Sequence, residues 1–329
     1  RLKTIQQEKL NNQVAELDVA TSENSIQESI AQIYIQILYA AESVRVNENT
    51  LQVSIAQRDR GQELLNAGSI AKSDFAQLEA QVSTDRYQLV TAQATLQDYK
   101  LQLKQLLELD GENEMNIYLP ALSDENVLAP LPTKRDVYIS ALSLRPEIEA
   151  SKLNVEASEL GINIAKSSYF PTISLSAGIG TNHTSGSDFT FGEQVKNGWN
   201  NSIGLSVSVP IFNNRQTKSA VQKAKLQYET SMLSLLDEQK ALYKTIESLW
   251  LDANSAQQRY AAANEKLKST QISYELISEQ FNLGMKNTVE LLTEKNNLLQ
   301  AQQEQLQAKY MAILNTQLLK FYQGDQLAL

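Results

Sequence analysis

Residues 244–284 read KTIESLWLDANSAQQRYAAANEKLKSTQISYELISEQFNLG and lie within a proline-free stretch from Ile211 to Gly324 whose only internal glycine is Gly284. Along this stretch, mostly apolar residues recur every seven positions in two rows, which interleave at spacings of three and four. The rows are Ile246, Ala253, Tyr260, Leu267, Tyr274 and Phe281, and Leu235, Leu242, Leu249, Ala256, Ala263, Thr270 and Ile277. Such an a/d seam is typical of a long supercoiling helix. The seam restarts at Leu292, Leu299, Leu306 and Ile313, which predicts a tight turn at 282–284 and a long helix that runs back.

The beginning of the chain carries the same pattern 216 positions earlier, where Asn66-Ala67-Gly68 matches the turn Asn282-Leu283-Gly284. The matching seam residues are Val19, Ile26, Ile30, Ile33, Ile37, Ala40, Val44, Leu51 and Leu65, and the returning helix carries Phe75, Val82, Leu89, Leu96 and Leu103. An internal repeat determines the architecture of a chain. Here the unit is a helical hairpin, and its first arm of about 65 residues spans roughly 100 Å at 1.5 Å per residue.

The composition argues against several classes of function. The chain of 329 residues has a formal net charge of −9, which argues against nucleic acid as a partner. It has no cysteine, and its one histidine, His183, lies in a polar loop where a solvated side chain is expected. We find no catalytic grouping, phosphate-binding loop, cofactor motif or metal-ligand spacing, so we expect neither an enzyme nor a cofactor or metal site.

The middle of the chain departs from the helical pattern. Three prolines predict an irregular segment over residues 107–145, in which the preceding helix ends by Gly111 and a short helix follows at 133–144. Pro146 stands where the first turn of a helix accepts proline. The helix that it begins is predicted to run to Ser168.

The period then changes from 3.6 to 2 over residues 171–180 and 201–211, where odd positions are mostly apolar and even positions are small or polar. Each run has the length of a tilted transmembrane strand, about 10 residues. The alternation is typical of a barrel with one face toward lipid and the other toward a watery lumen. The residues predicted to face lipid are Ile173, Leu175, Ile179, Ile203, Leu205, Val207 and Val209. Residues 182–200, between the runs, are expected to form an extracellular loop.

Two strands cannot span a membrane alone, because lipid leaves their edges without hydrogen-bond partners. A closed barrel would need a further hairpin and neighbouring subunits. Arg1 begins within a helical pattern, so we expect the sequence to be part of a longer protein in which another strand hairpin precedes Arg1. The alternative interpretation of the alternation is a hairpin packed on a soluble core.

In four places the sequence resembles the TolC family of outer membrane efflux channels. The places are Leu144-Arg145-Pro146-Glu147-Ile148, Ser168-Tyr169-Phe170-Pro171-Thr172-Ile173-Ser174-Leu175, Val209-Pro210-Ile211-Phe212-Asn213 and Phe281-Asn282-Leu283-Gly284. The resemblance implies a homotrimer that forms an outer-membrane barrel and a helical tunnel across the periplasm. It further implies a tunnel that is shut at its tips and opened by a periplasmic adaptor (membrane fusion) protein and an inner-membrane transporter.

The expected fold class is therefore mainly α with a β-hairpin. It combines long antiparallel coiled-coil hairpins in an α-barrel, transmembrane β-barrel strands, two internal repeats and a trimer. The expected segments are a first periplasmic hairpin at 1–106 with its tip near 66–72, an equatorial segment at 107–145, a helix leading to the barrel at 146–168, a transmembrane β-hairpin at 169–212, and a second periplasmic hairpin at 213–323 with its tip near 282–288.

By the same resemblance, the gate residues lie at the tips. The family's tip constriction depends on an acidic residue six positions after the turn glycine. The positions that match it in this sequence are Asp74, which follows Ser73, and Glu290. Lys286 matches a basic tip residue of the family, and Phe281 stands where the family often has tyrosine. The turns themselves contain Asn66, Gly68, Asn282 and Gly284. In a trimer, one carboxylate per subunit becomes a ring that favours cations. The alternative is that both acids only match the dipoles of the helices that they begin.

Two other classes of protein share some of these features. A periplasmic adaptor also has long helical hairpins, but the glycine-rich lipoyl-like and barrel modules of adaptors are absent here. A structural coiled coil needs neither an alternating hairpin nor repeated turns. We therefore expect a duct in the outer membrane of a Gram-negative bacterium that extends into the periplasm, and its cargo is not indicated by any motif.

Overall fold

The computed structural model describes residues 1–109, 117–118, 127–186 and 188–327. In chain order its helices and strands are α1 (Leu2–Asn66), α2 (Lys72–Leu106), α3 (Lys134–Leu144), α4 (Pro146–Ser167), β1 (Thr172–Gly180), α5 (Phe191–Asn197), β2 (Asn200–Ser208), α6 (Gln216–Asn282) and α7 (Thr288–Gln323). The chain forms two compact units. The sheet unit comprises Arg1–Leu17 and Glu149–Asp237, and the helical unit comprises Asp18–Ile148 and Glu238–Leu329. The predicted helix stop at Gly111 lies outside the described residues.

In the sheet unit, β1 and β2 pair antiparallel so that apolar residues lie opposite each other. Ile173 pairs with Val207, and Leu175 pairs with Leu205. Successive side chains of a strand point to opposite faces. One face of the hairpin is therefore apolar except for Asn201 at its end. The other face carries only serine, threonine, glycine and asparagine. Every residue of both strands is exposed to solvent.

The second strand is shorter than predicted. It ends at Ser208, so Val209, expected on the strand, lies just beyond it. If the register continued, Val209 would pair with Pro171, and Pro210 would follow. Proline has no N–H to donate to a strand ladder, which explains why the pairing stops here.

The long helix α6 also begins later than residue 213, where the second hairpin was predicted to start. Asn214 and Arg215 have positive φ angles of 50° and 62°. A right-handed helix excludes such angles, so α6 begins only at Gln216.

The loop between the strands contains the short helix α5, which its composition did not predict. Thr190 is the N-cap, and its backbone N–H donates to Glu193 Oε2 at 3.0 Å. Thr184 N donates to Gln194 Oε1 at 2.8 Å, which links the loop to the helix. These local hydrogen bonds give the loop a folded structure.

In the helical unit, the predicted seam of α6 is largely core. Leu242, Ile246 and Ala253 are buried against Ala141 of α3 and Leu319 of α7. These α6 residues come from both rows of the seam, so the two apolar rows form one packed stripe, as in amphipathic helices.

The helix α1 packs on α7 in a second cluster of the helical unit. It places Ile35 and Leu38 against Tyr310. Two earlier seam residues of α1, Val19 and Ile26, are exposed. The seam is therefore not covered along the whole of α1 in this single chain.

The extended residues before α3 are held on α6 by side-chain hydrogen bonds. Trp250 Nε1 donates to the carbonyl of Pro132 at 2.9 Å. Gln257 Nε2 donates to the carbonyls of Val127 and Ala129 at 2.9 and 2.8 Å. Irregular backbone needs such partners because it has no regular ladder of its own.

Arg145, at the junction of α3 and α4, ties three helices together. Its Nε donates to Glu147 Oε1 at 2.8 Å, and its Nη2 donates to Glu28 Oε1 at 3.1 Å. The guanidinium carbon lies 4.3 Å from the ring centroid of Tyr322 and 5.5 Å from that of Phe321. Burial, together with the charge of Glu28, raises the pKa of Tyr322 to about 12.

Candidate functional site

The two helical tips have the same backbone geometry. Gly68 and Gly284 have φ angles of +74° and +73°. In each turn the glycine N–H donates to the carbonyl three residues back, and the N–H of the next residue, Ser69 or Met285, donates to the carbonyl five residues back. The N···O distances are 2.9 and 2.8 Å in both turns. This is the Schellman ending of a helix, in which the left-handed residue is most often glycine.

The two predicted tip carboxylates both cap the helix that they begin. Asp74 Oδ2 accepts from the backbone N–H of Ala71 at 3.4 Å. Glu290 Oε2 accepts from the N–H of Asn287 at 3.2 Å, and Asn287 Oδ1 accepts from the N–H of Glu290 at 2.9 Å. The second arrangement is a complete capping box, and the first has only the acidic half because Ala71 has no side-chain acceptor.

Glu290 also pairs with the predicted basic residue. Lys286 Nζ lies 2.6 Å from Glu290 Oε1, and both side chains are partly exposed. The hydrogen bond from Lys286, helped by that from the N–H of Asn287, lowers the pKa of Glu290. The charge of Glu290 is therefore compensated within its own chain, whereas the described partner of Asp74 is a backbone N–H.

The other predicted gate residues lie in different environments. Phe281 has only 2% of its surface exposed and packs with Leu78 and Leu291. These three residues, here called the tip core, join the second helical hairpin to α2. Ser73 is exposed at the start of α2.

The turn asparagines make different contacts at the two tips. Asn66 Oδ1 accepts from Gln62 Nε2 at 3.0 Å. The backbone carbonyl of Asn282 accepts from Arg60 Nη2 at 3.4 Å, so a side chain of α1 reaches the second turn. The structure thus connects the two tips through Arg60 and through the tip core, while the contacts of Asp74 and Glu290 stay local.

A buried polar cluster was missed by the sequence reasoning. Lys295 Nζ donates to Asp85 Oδ2 and to Ser54 Oγ, and Ser54 Oγ donates to the same oxygen of Asp85. Gln81 Nε2 donates to Asp85 Oδ1 at 2.9 Å. Burial lowers the pKa of Lys295, and the carboxylate of Asp85 opposes this effect.

One signal in the sequence pointed to this cluster. Ser54 stands two heptads after Ala40, in the row of the seam that also contains Ile33. A polar residue in an apolar row is a common mark of a buried polar contact. Its partners, however, lie on other helices.

Two other features, a metal-binding cluster and a membrane-spanning helix, are absent from the described ranges. No group of three or more His, Asp or Glu residues there is arranged to hold a metal ion. In the same part of the chain, no helix combines the length and the apolar character needed to cross a membrane.

The family model described as "Outer membrane efflux protein" matches residues 137–324, more than half of the chain. The chain belongs to this family. The family resemblance seen in the sequence is thereby confirmed, and the matched range includes α4, both strands, and the second helical hairpin with its tip.

Individual members of the family cover most of the chain. The outer membrane efflux protein BepC of Brucella suis biovar 1 (strain 1330) is 24% identical over 294 residues, which are 89% of this chain and 61% of BepC. The outer membrane protein TolC of Escherichia coli (strain K12) is 23% identical over 311 residues, which are 92% of this chain and 62% of TolC. The chain therefore spans about three fifths of the length of the curated relatives it matches.

A solved structure supports the fold. A crystal structure of CusC superposes with a TM-score of 0.82 at 18% identity, and the match covers 97% of this chain and 73% of the CusC chain. The predicted fold of long helices with a small two-stranded sheet is confirmed at this level. The expected outer membrane location agrees with the names of the relatives.

Proposed function

We propose that this chain is part of a duct of a tripartite efflux or type I export system, a passive conduit across the outer membrane and the periplasm. The register of the β1–β2 hairpin carries the proposal, because it collects the apolar residues on one face and the small polar residues on the other. Membership of the outer membrane efflux protein family supports it. Conduction needs no catalytic group and no cofactor, and we propose none.

The apolar face of the hairpin is proposed to contact outer-membrane lipid. Leu175 and Ile203 have 75% and 84% of their surfaces exposed. Transfer of apolar surface out of water stabilises by about 25 cal/mol per Å², so a face of this kind favours an apolar partner. The proposed lipid-facing residues are Ile173, Leu175, Ile179, Ile203, Leu205 and Val207, with Val209 at the end of the strand.

Closure of the barrel and of the tunnel is proposed to require a homotrimer. Two strands have unpaired edges that lipid cannot satisfy, so further strands of the complete protein and of neighbouring subunits must pair with them. The identical turns at Gly68 and Gly284 support an internal repeat of two periplasmic hairpins, 1–106 and 213–323. In this arrangement residues 107–145 form the equatorial segment, and residues 146–168 lead to the transmembrane hairpin at 169–212.

The tips are proposed to form the gate, which a periplasmic adaptor and an inner-membrane transporter open. Three copies of Asp74 and of Glu290 would form two acidic rings, and rings of carboxylates favour cations. Lys286 would reduce the negative charge of the Glu290 ring, since the two groups lie 2.6 Å apart. Ser73 is proposed to line the first tip, and Phe281 to support the second tip from the tip core.

Conductance in planar lipid bilayers tests this proposal. The complete natural protein, purified in detergent, is expected to produce steps of one size and to prefer cations. Asp74→Asn with Glu290→Gln removes both charges and keeps an oxygen that accepts the capping hydrogen bond. We expect this variant to lose cation preference, so that its reversal potential in a KCl gradient moves toward zero. Asp74→Ala with Glu290→Ala also removes the caps, and we expect it to conduct more because the tips loosen.

Glu265→Ala is the matched control, because Glu265 is an exposed carboxylate of α6 away from both turns. It should change neither conductance nor reversal potential. A folded trimer that never conducts would contradict the duct. A conducting protein whose reversal potential is the same with and without the two tip charges would contradict the gate residues alone. No observation in the structure favours the adaptor or the purely structural coiled coil.

A further inference from the structure

The buried polar cluster of Ser54, Asp85 and Lys295 joins the two helical hairpins near their tips. Ser54 and Asp85 come from the two arms of the first hairpin, and Lys295 comes from the returning arm of the second. The three residues have 2%, 2% and 3% of their surfaces exposed. With Gln81 donating to the second oxygen of Asp85, the carboxylate has partners on both oxygens.

The cluster is not explained by stability alone. When an ion pair is buried, the cost of removing its charges from water offsets most of the attraction between them. Apolar residues of similar volume often stabilise a core as well or better. Polar groups in a helical seam are best known for specifying register and pairing. A cluster of this kind is therefore suited to holding α7 at one position on α1 and α2, which an apolar contact would specify less well.

The position of the cluster divides α7 and the first hairpin into two sections. Asp85 follows Leu78 of the tip core by seven residues, and Lys295 follows Leu291 by four. On the tip side of the cluster, the tip core is tightly buried, but two buried polar atoms lack partners. Thr288 Oγ1 and Gln57 Oε1 are buried there without a hydrogen-bond partner. Unpaired buried polar atoms are costly, so a rearrangement that gave them partners would recover part of that cost.

We propose that Ser54, Asp85 and Lys295 form a polar lock that anchors α7 to the first hairpin and confines the opening movement of the second tip to the residues between the lock and the turn. This inference rests on the proposed duct function. In it, Lys295 and Asp85 are positioning residues that act through the helices, and neither is required to touch the cargo.

The test uses the complete protein in planar bilayers. Asp85→Leu with Lys295→Met replaces the lock by apolar side chains and leaves no unpaired charge. We expect the fraction of time spent open without partners to rise about tenfold, the size expected when one buried side-chain coupling is lost. Lys266→Met with Glu304→Leu is the matched control, because this pair at 2.7 Å is exposed and lies within the second hairpin. The control should stay within about twofold of the natural protein.

A second pair of variants separates the lock from general loosening. Asp85→Lys with Lys295→Asp restores an ion pair with the charges exchanged. We expect this variant to spend a smaller fraction of time open than the apolar variant. Hydrogen exchange of the unaltered protein provides a measurement that depends on no variant. Amides of α7 at 292–294, beyond the first turn of the helix, should exchange faster than those at 296–306, because only the latter lie behind the lock.

The outcomes are distinct. If the natural protein conducts but the apolar variant opens no more than the control, the proposed lock is wrong, and the proposed duct function is unaffected. Uniform exchange from 292 to 306 would also overturn the lock, and this result does not depend on whether the apolar variant assembles. If the natural protein never conducts, both the duct and the inference that rests on it are wrong.

Discussion

Arg145 offers the sharpest test of the energetics of the helical unit. It holds Glu28 of α1 and Glu147 of α4 at hydrogen-bond distances of 3.1 and 2.8 Å, and it lies over the ring of Tyr322 of α7. Arg145→Met preserves much of the side-chain volume but leaves two carboxylates without their cation. We expect this substitution to destabilise the protein strongly.

The expected magnitude comes from the burial of the three charged groups. Removal of one partner of a buried ion pair costs about 3–5 kcal/mol. The side chains of Glu28 and Glu147 are 21% and 19% exposed, so water offsets part of the loss and the lower figure applies. Loss of the cation–π contact adds about 0.5–1 kcal/mol. The total of about 3.5–4 kcal/mol corresponds to a fall of roughly 5–6 °C in the thermal midpoint for a chain of 329 residues.

The assay is the loss of helical circular dichroism of the complete protein on heating at one fixed rate, because large proteins unfold irreversibly. Arg45→Met is the matched control on α1. Arg45 lies 2.7 Å from Glu42, but its side chain is 70% exposed, so we expect a fall of no more than about 2 °C. Adding Glu28→Gln and Glu147→Gln to Arg145→Met should recover at least half of the loss.

Two results would refute this reasoning. If Arg145→Met lowers the midpoint no more than Arg45→Met does, the buried pairs do not stabilise the junction of α3 and α4. If the triple variant is no more stable than Arg145→Met, unpaired carboxylates are not the cause of the loss.

Three further predictions concern single positions. Gly284→Ala should destabilise by about 1–2 kcal/mol, because φ is +73° in otherwise open space; Gly192→Ala, on a helix and equally open, is its control in thermal unfolding. The pKa of Tyr322 is raised from 10.0 to about 12, so its contribution to stability is complete below pH 10.0 and is lost as the pH rises through about 12. In denaturant titrations, Tyr322→Phe should therefore lose about 2–3 kcal/mol less of its free energy of unfolding over this pH range than the natural protein. The pKa of Glu290 is lowered from 4.5, chiefly by Lys286, so the contribution of Glu290 to stability is complete above pH 4.5 and is lost as the pH falls through the lowered pKa. In Glu290→Gln, hydrogen exchange of the second tip should therefore depend less on acid pH than in the natural protein. Equal dependence in the two proteins would contradict this assignment.

The elements that the sequence predicted well are those specified by local patterns. The turns at Gly68 and Gly284 occur where they were predicted, because a helix stop with a left-handed residue depends on a few adjacent residues. Pro146 begins α4 for the same kind of reason. The alternation of β1 and β2 was visible because a strand has a period of two. The early end of β2 was missed, because it depends on which residue of β1 faces Val209.

The roles of the site residues were harder to predict from the sequence. The sequence placed Asp74 and Glu290 in first turns, and the structure adds that both cap their helices. The family resemblance predicts Phe281 as a gate residue, whereas its burial against Leu78 depends on how α2 packs on the second hairpin. Contacts of this kind depend on which helix faces which, and a heptad pattern leaves that choice open.

The amino-acid sequence by itself determined the kind of element at most positions, the two tips and the family of the protein. These follow from periodicity, turn residues and short motifs, all of which act over a few neighbouring residues. Only the tertiary structure decided that Ser54, Asp85 and Lys295 meet. They are separated by 31 and 210 residues, and nothing local in the chain pairs a buried lysine with one carboxylate among many. That pairing follows from the packing of three helices, because the interior of the protein supplies no water to replace a missing partner.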